Sequence, residues 1–168
     1  MKKALYPASF DPITYGHMDI ISQALKIYDK IVVASLVNSS KKSGMFTLEE
    51  RTNLIKEIYK DNPKVEVLTI NEDITAVDLA MQNGCETIIR GLRDLTDFAE
   101  ELKLSELNLT ISEGKISTVA FFANPTKTTI SSSTTKELAR YGKNIDNFVH
   151  PIVKVAIAEK LALRKETK

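Results

Sequence analysis

The sequence of 168 residues lacks the features that mark secreted, membrane and nucleic-acid-binding proteins. Its single cysteine, Cys85, allows no internal disulfide and no cysteine cluster for zinc, and we expect it in the core. No apolar run approaches the length of a membrane helix, and the N-terminus leads into an apolar segment without a signal-peptide pattern. The net charge of +1 gives no attraction for nucleic acid or a membrane surface. These absences predict a soluble cytoplasmic protein whose partners include neither nucleic acid nor membrane.

Linkers, repeats and common catalytic fingerprints are missing as well. With 6 glycines, 5 prolines and 43% hydrophobic residues, the composition is that of one globular domain, which we place over residues 1–168. Neither a Walker motif nor a G-x-G-x-x-G dinucleotide motif is present. No pattern indicates a nucleophilic serine or cysteine triad, and His150 is expected to be structural. Any phosphoryl chemistry should therefore proceed by direct displacement rather than through a covalent intermediate.

Apolar runs and helical periodicities alternate along the chain. Strands are predicted at residues 4–6, 31–37, 65–70, 87–89 and 116–122, and helices at 18–28, from the capping box at 47–50, and at 76–82, 96–107, 131–140 and 151–163. This alternation predicts an α/β fold, a single doubly wound five-stranded parallel sheet with helices on both faces. Ligands bind such sheets beyond the carboxyl ends of the strands, where the polar clusters of this sequence lie.

The loop after the first strand, residues 9–17, contains two prolines and ends in Thr14-Tyr15-Gly16-His17. A loop that opens a helix collects free N–H groups and the positive end of the helix dipole, which favours phosphate. We expect His17 to be mainly neutral there and to donate a hydrogen bond to charge developing on phosphorus. The alternative is an ordinary turn with a capping threonine and a histidine of no function, and the motif alone does not decide.

Three more polar clusters follow predicted strands. Lys41 and Lys42 lie in a loop that either reaches an anionic substrate or is simply a solvated basic loop. Arg90 and Arg93 can present guanidinium forks to phosphate, but Arg93 can also pair with Asp97 on the surface. Three consecutive serines at 131–133 favour a phosphate site at a helix N-terminus, although one serine would suffice as a cap.

Together, Thr14-x-Gly16-His17, Arg90-Gly91-Leu92-Arg93 and the Ser131–Glu137 segment resemble the (H/T)-x-G-H nucleotidyltransferase superfamily. With Tyr6-Pro7, Phe10-Asp11-Pro12, Met45–Arg51 and Asp97-Phe98, the chain resembles, over nearly its whole length, the bacterial phosphopantetheine adenylyltransferases. The resemblance implies a Rossmann-like nucleotidyltransferase fold and a homohexamer. It also implies transfer of the adenylyl group of ATP to 4′-phosphopantetheine with magnesium, whose ligands the sequence does not identify.

The resemblance also implies a role for particular residues. His17 would be catalytic, as the group that stabilises the transition state. The acceptor site would be formed by Ser9, Lys41, Ala76 and Arg90. The ATP site would be formed by Ser9, Phe10, His17, Gly91, Leu92, Arg93, Glu101, Lys127, Thr128, Thr129, Ile130, Ser131, Ser132 and Ser133.

Some residues depart from the family pattern. The departures affect the packing of adenine and pantetheine more than the phosphate chemistry. They are Ala8, Ser9, Tyr15, Ala76, Ala99, Glu100 and Lys127.

Two other functions compete with this one. The nearest is adenylyl transfer to nicotinamide mononucleotide or glycerol 3-phosphate. A second alternative is a nucleotide-binding sensor without activity, which would not need the histidine donor.

Overall fold

The computed structural model describes residues 1–36 and 44–166. Within these ranges the chain forms five strands, six α-helices and a short 3-10 helix at Pro125–Lys127. The strands are β1 Lys3–Ala8, β2 Lys30–Leu36, β3 Val65–Ile70, β4 Thr87–Leu92 and β5 Ser117–Phe122. The helices are α1 Tyr15–Ala24, α2 Leu48–Tyr59, α3 Ala76–Gln82, α4 Leu95–Ile111, α5 Ser132–Arg140 and α6 Pro151–Glu166.

The five strands form one parallel sheet in the order β3-β2-β1-β4-β5. The chain builds outward from β1 through β2 to β3, then crosses back to place β4 on the other side of β1. The switch point between β1 and β4 is where a doubly wound sheet forms its ligand crevice. The predicted fold class, an α/β doubly wound parallel sheet, is confirmed.

Apolar side chains cover both faces of the sheet, because successive residues of a strand point to opposite sides. On one face, α1, α2 and α6 pack through Ile21, Ile55 and Ile157, which are almost completely buried. On the other face, α3 packs through Val77 and Ala80, in a cluster that also contains Cys85. The helices therefore lie on both faces, as predicted, and Cys85 is a core residue.

Helix α4 is the exception, because none of its 17 residues is buried. It contacts β4 and β5 through polar residues, including an Asn108 amide that donates to the Thr118 hydroxyl at 3.2 Å. Its large apolar side chains remain exposed: Leu95, Phe98, Leu102, Leu104, Leu107, Leu109 and Ile111. No helix within residues 1–36 and 44–166 has both the length and the apolar character needed to span a bilayer.

The capping-box prediction is confirmed. The Thr47 hydroxyl accepts from the Glu50 N–H, and the Glu50 carboxylate accepts from the Thr47 N–H. Several boundaries differ from the predicted ones, and α4 extends to Ile111 rather than to 107. Helix α1 spans residues 15–24 rather than 18–28, because Thr14 forms its N-cap. Strand β1 continues through Pro7, and β4 continues to Leu92, since both run to the edge of the crevice.

Candidate active site

A cavity of about 480 Å³ opens at the carboxyl ends of β1 and β4. Its walls come from the loop after β1, the start of α1, the β4–α4 corner and the entry to α5. Of the residues predicted for the site, those that line the cavity are Ser9, His17, Arg90, Gly91, Arg93, Glu101, Lys127, Ile130, Ser131, Ser132 and Ser133. The structure thus brings together clusters that are up to 124 residues apart in the chain (Ser9 to Ser133).

The sheet itself opens to make this cavity. Strand β1 pairs with β2 along its whole length, but its register with β4 covers only Ala4 and Leu5. Pro7 has no N–H to donate to a ladder on that side, so the two central strands separate beyond this point. The Pro7 carbonyl instead accepts a hydrogen bond of 3.2 Å from Nη1 of Arg90. A proline near the end of a central strand was the sequence signal for this opening.

The loop after β1 is anchored by a buried carboxylate. Asp11 is 6% exposed and accepts from the backbone N–H groups of Met45 and Phe46 at 2.9–3.1 Å. Lys136 of α5 donates to the same carboxylate at 2.7 Å. Burial alone would raise the pKa of Asp11, but the hydrogen bonds and the charge of Lys136 outweigh it and lower the pKa. Asp11 therefore stays ionised and joins the loop to two other segments.

Phe10 lies inside this loop rather than in the cavity. Its side chain is completely buried, with its ring 5.0 Å from that of His17 and 5.4 Å from that of Tyr6. Its backbone adopts a φ of 45°, in the left-handed region that a bulky residue rarely visits. A contact between Phe10 and ATP is thus open only to its backbone, since the ring supports His17 from the core.

His17 is the third residue of α1, and its orientation is fixed by the helix start. The backbone N–H of Thr14, the N-cap residue, donates to Nδ1 of His17 at 3.1 Å. Since Nδ1 accepts this bond, the proton of the neutral ring lies on Nε2. A capping arrangement that usually involves glutamate or glutamine is here completed by histidine. It leaves an Nε2–H donor for the cavity that the ring lines.

The neutral form of His17 is strongly favoured. Burial, the larger cause, and the positive charge of Arg93 together lower the pKa of His17 from 6.5 to about 4. The expectation of a neutral donor agrees with this pKa. Burial and a nearby guanidinium are causes that the expectation, which was based on the helix dipole, did not include.

Gly16 and Gly91 have a packing role that the sequence did not reveal. A Cβ on Gly16 would lie 3.1 Å from the backbone carbonyl oxygen of Ile130, at the entry to α5. A Cβ on Gly91 would lie 3.1 Å from the side chain of Ile20 in α1. Both glycines therefore allow α1 to approach its neighbours closely, which draws the cavity walls together.

Arg90 and Arg93 each hold a carboxylate of α4. Nε and Nη2 of Arg90 donate to the two oxygens of Glu101 at 2.5 and 2.7 Å. Nε and Nη2 of Arg93 donate to Asp97 at 2.8 and 2.9 Å. Asp97 and Glu101 are one helical turn apart, so they share a face, whereas Arg93 precedes the helix. The surface pair Arg93–Asp97 that the spacing offered as an alternative is formed, and Arg93 lines the cavity as well.

The three serines at the entry to α5 have different partners. The Ser131 hydroxyl is the N-cap and accepts from the Thr134 N–H at 3.0 Å. The Ser132 hydroxyl donates to the carbonyl oxygen of Pro12 at 2.8 Å, which ties α5 to the loop after β1. Ser133 is exposed at the cavity. Only part of the serine run is thus available for a ligand, together with the N–H groups of the helix start.

Lys127 is held at the cavity edge by a residue that the sequence did not single out. Its Nζ lies 3.6 Å from Oδ1 of Asp19 in α1. Oδ2 of Asp19 also accepts from the backbone N–H of Asn124 at 3.0 Å. Asp19 therefore links α1 to the segment that carries Lys127. An acidic residue on a helix face gave no signal of this role.

Several predicted site residues do not line the cavity. Leu92 is buried at the end of β4, and Ala76 packs at the start of α3 against the second core cluster. Thr128 and Thr129 follow the 3-10 helix, and the Thr128 hydroxyl donates to the carbonyl oxygen of Pro125 at 3.3 Å. Lys41 lies outside the described residues.

A family model described as cytidylyltransferase-like matches residues 5–138, most of the chain. Curated relatives match this chain over most of its length. The phosphopantetheine adenylyltransferase of Lachnoclostridium phytofermentans is 44% identical over 149 residues, 89% of each chain. The chain belongs to the phosphopantetheine adenylyltransferase family. The enzyme of that name from Geobacter sulfurreducens is 39% identical over 161 residues, 96% of each chain. The resemblance identified from the motifs is confirmed, and the protein is a nucleotidyltransferase.

A more distant likeness concerns the fold. A putative nicotinate-nucleotide adenylyltransferase from Vibrio parahaemolyticus superimposes with a TM-score of 0.70. The match covers 94% of this chain and 99% of that one, at 20% sequence identity. At this identity the likeness establishes the architecture and nothing about the acceptor.

Proposed function

We propose that the protein transfers the adenylyl group of ATP to 4′-phosphopantetheine, giving dephospho-coenzyme A and pyrophosphate. A phosphate oxygen of the acceptor attacks the α-phosphorus of ATP. The bond from that phosphorus to the α,β-bridging oxygen breaks, and pyrophosphate leaves with the electron pair. Because the acceptor phosphate is its own nucleophile, the protein needs to position and to stabilise charge, not to supply a nucleophile.

The observation that carries this proposal is the fixed Nε2–H donor of His17. Its Nδ1 is occupied by the Thr14 N–H and its pKa is about 4, so the ring is a neutral donor at physiological pH. A donor that is already oriented costs no reorganisation when negative charge grows on the α-phosphate oxygens. A protein that only sensed ATP would have no need of such a donor.

We assign the phosphate contacts to two groups of residues in the cavity. Arg90 and Ser9, near the β1–β4 opening, would bind the acceptor phosphate, with Lys41 expected to join from outside the described residues. Arg93, Lys127 and the N-terminus of α5 would bind the phosphates of ATP. Each guanidinium retains N–H donors that are not bonded to its carboxylate, so both can donate hydrogen bonds to phosphate oxygens.

Magnesium is proposed to arrive with the triphosphate. Among the described residues no group of three or more ligating side chains is close enough to hold a metal ion. The two carboxylates that line the cavity, Asp97 and Glu101, are already bonded by arginines. Magnesium commonly retains several waters and binds through substrate phosphates, which suits this donor set better than a cage of protein ligands.

The test is pyrophosphate release from ATP and magnesium, with each acceptor offered separately. Release with 4′-phosphopantetheine alone would support the proposal. Release with nicotinamide mononucleotide or glycerol 3-phosphate instead would overturn the acceptor. Measurable ATP binding without release from any acceptor would favour a sensor. Arg140→Gln, which removes a charge from the exposed end of α5, serves as a control that should retain activity.

We further propose that the protein works in the cytoplasm as a homo-oligomer, expected to be a hexamer, and that α4 lies in the interface. The exposed apolar residues of α4 fall in two rows by their spacing: Leu95, Phe98, Leu102 and Leu109, and then Leu104, Leu107 and Ile111. A second copy of this chain is the partner that we propose for these apolar side chains. Residues 152–163 of the predicted last helix, which is part of α6, are largely apolar and would also suit assembly, but α6 already buries Val153 and Ile157 in the core.

Sedimentation of matched variants tests this surface. Leu102→Lys places a charge on α4 at a side chain that is 47% exposed, and Val155→Lys does the same on α6 at 57%. We expect the first to dissociate the assembly and the second to leave it intact. The reverse pattern would place the interface on α6, and a monomeric wild type would overturn the assembly proposal.

A further inference from the structure

We propose that Asp97 is a positioning residue, which holds the guanidinium of Arg93 at the cavity wall so that its remaining donors can bind the phosphates of ATP. This inference rests on the proposed function, because ATP is the ligand that Arg93 is assigned to bind. Asp97 itself would not touch the nucleotide. It would act through Arg93.

The first support is that a single carboxylate fixes both ends of Arg93. Oδ2 of Asp97 accepts from the backbone N–H of Arg93 at 3.0 Å and from its Nε at 2.8 Å. Oδ1 accepts from Nη2 at 2.9 Å. The side chain of Arg93 is 41% exposed, so without these bonds it would sample many rotamers. Three bonds to one group hold both the start of the side chain and its tip.

The second support is the position of Asp97 itself. Asp94 is the N-cap of α4, and its carboxylate accepts from the N–H groups of Thr96 and Asp97. Asp97 therefore lies in a capped first turn, and its side chain is only 19% exposed. An ordinary i,i+4 pair joins two exposed side chains of one helix. Here the acid is on the helix and the arginine is on the corner before it, which is part of the cavity wall.

The third support is the set of guanidinium donors of Arg93 that Asp97 does not use. The carboxylate takes the Nε–Nη2 side of the Arg93 guanidinium. Among residues 1–36 and 44–166, no group accepts from Nη1 of Arg93, and Nη2 has a second N–H beside it, so this outer edge can bind a phosphate in a bidentate manner. Asp97 thus uses the side of the guanidinium that is not needed for the ligand. This favours positioning over competition with the phosphate.

Arg90 shows the same design with a different second anchor. Its Nε–Nη2 side is held by Glu101, one turn along α4, and its Nη1 is held by the Pro7 carbonyl. In the described part of the chain Arg93 has no second anchor of that kind, so Asp97 is its one side-chain partner there. Loss of Asp97 should accordingly be felt more by Arg93 than a comparable loss would be by Arg90.

The experiment measures the dissociation constant for ATP by calorimetry, without acceptor, for wild type, Asp97→Asn, Arg93→Ala and the double variant. Glu100→Gln is the control, because it removes a negative charge from the same helix at an exposed position. We expect Asp97→Asn to weaken ATP binding about tenfold, in the range of a charge-assisted hydrogen bond. The double variant should bind ATP no more weakly than Arg93→Ala, and Glu100→Gln should bind it as wild type does.

Each possible result either supports or overturns the proposed role of Asp97. ATP binding by Asp97→Asn that equals or exceeds that of wild type would overturn the proposal and make Asp97 a competitor of the phosphate. Effects that multiply in the double variant would also overturn it, since Asp97 would then act independently of Arg93. Should Asp97→Asn not fold, Asp97→Glu retains the charge and shifts the carboxylate by one methylene, with a smaller loss expected and unchanged affinity contradicting the proposal.

Failure of the proposed function gives a different result. A wild type that binds ATP but releases no pyrophosphate with any acceptor would refute the reaction and leave the role of Asp97 standing on the binding data. A wild type that binds no ATP would overturn both. Turnover at saturating ATP should fall by less than the affinity does, since Asp97 would act through Arg93 and not on the reacting atoms.

Discussion

The two walls of the cavity are built in opposite ways. The wall formed by the loop after β1, α1 and the start of α5 is fixed by the core: Phe10 is fully buried beneath His17, and the buried carboxylate of Asp11 joins three segments. The wall at the β4–α4 corner is held by two arginine–carboxylate pairs on a helix that buries no residue. In the proposed function the first wall places the donor of His17, which requires precision. The second would hold the cations that bind phosphate, Arg90 and Arg93, which must also exchange partners with the solvent and the ligand.

The largest effect is expected at the first wall. His17→Ala removes the fixed Nε2–H donor and should reduce kcat about 10²–10³-fold, as loss of one transition-state donor does. The dissociation constant for ATP should change by no more than a few-fold. Turnover assays and calorimetry measure the two quantities, with His150→Ala as the control that replaces the other histidine. Full turnover of His17→Ala would show that the donor is not used.

Asp11→Ala should destabilise the fold more than any change at the second wall. It leaves the partly buried Lys136 and two buried backbone N–H groups without their acceptor, which should lower the free energy of unfolding by about 3 kcal/mol. Urea denaturation measures this value. Lys60→Met, which breaks an exposed pair with Glu57, should leave the midpoint unchanged. A small loss in Asp11→Ala would mean that the first wall does not depend on this anchor.

Glu101→Gln tests the second wall in the same assay. The pair with Arg90 is partly exposed, at 26% and 18%, so solvent screening reduces its contribution to stability to about 1 kcal/mol. The free energy of unfolding should therefore fall far less than in Asp11→Ala. Equal losses in the two variants would abolish the distinction between the walls.

Acidification should affect the first wall through His17. Its pKa is 6.5 in an ordinary environment and about 4 in the folded protein, so between these values the unfolded chain binds the proton and the folded chain does not. The contribution of the neutral His17 to the free energy of unfolding is complete above pH 6.5. It is lost as the pH falls toward 4, by at most about 1.4 kcal/mol per pH unit. His17→Gln cannot titrate but can still accept from Thr14.

The difference in unfolding free energy between wild type and His17→Gln isolates this contribution. As the pH is lowered, we expect the free energy of unfolding of wild type to fall relative to that of His17→Gln, since the other titrating groups affect both proteins equally. A difference that does not vary with pH would mean that His17 keeps an ordinary pKa in the folded protein.

Sequence reasoning located most of this site because strand ends and helix starts leave a local signal. The Thr14-x-Gly16-His17 loop, the arginines after β4 and the serines before α5 were all identified as neighbours of a parallel sheet edge. It failed where a residue meets a partner far along the chain. Nothing in the sequence indicated that Lys136 would bond Asp11, that Asp19 would hold Lys127, or that Gly91 would make room for Ile20.

It also left the result open where a local pattern allowed two outcomes. The resemblance implied that Phe10 contacts ATP, which stays a prediction; its ring lies in the core, so only its backbone is open to that contact. Ser131 and Ser132 are bonded largely within the protein. Arg93 was expected either to pair with Asp97 or to serve the site, whereas a guanidinium has enough donors for both.

The sequence by itself determined the alternating elements, the parallel sheet and the family, because periodicity and motif spacing are properties of the chain. The tertiary structure alone decided which donors of Arg90 and Arg93 are bonded to carboxylates, which nitrogen of His17 carries the proton, and where the sheet opens. These depend on hydrogen bonds between segments far apart in sequence, such as that from Arg90 to Pro7. Donors and acceptors can be counted from a sequence, but their pairing is settled only when folding brings them within about 3 Å of each other.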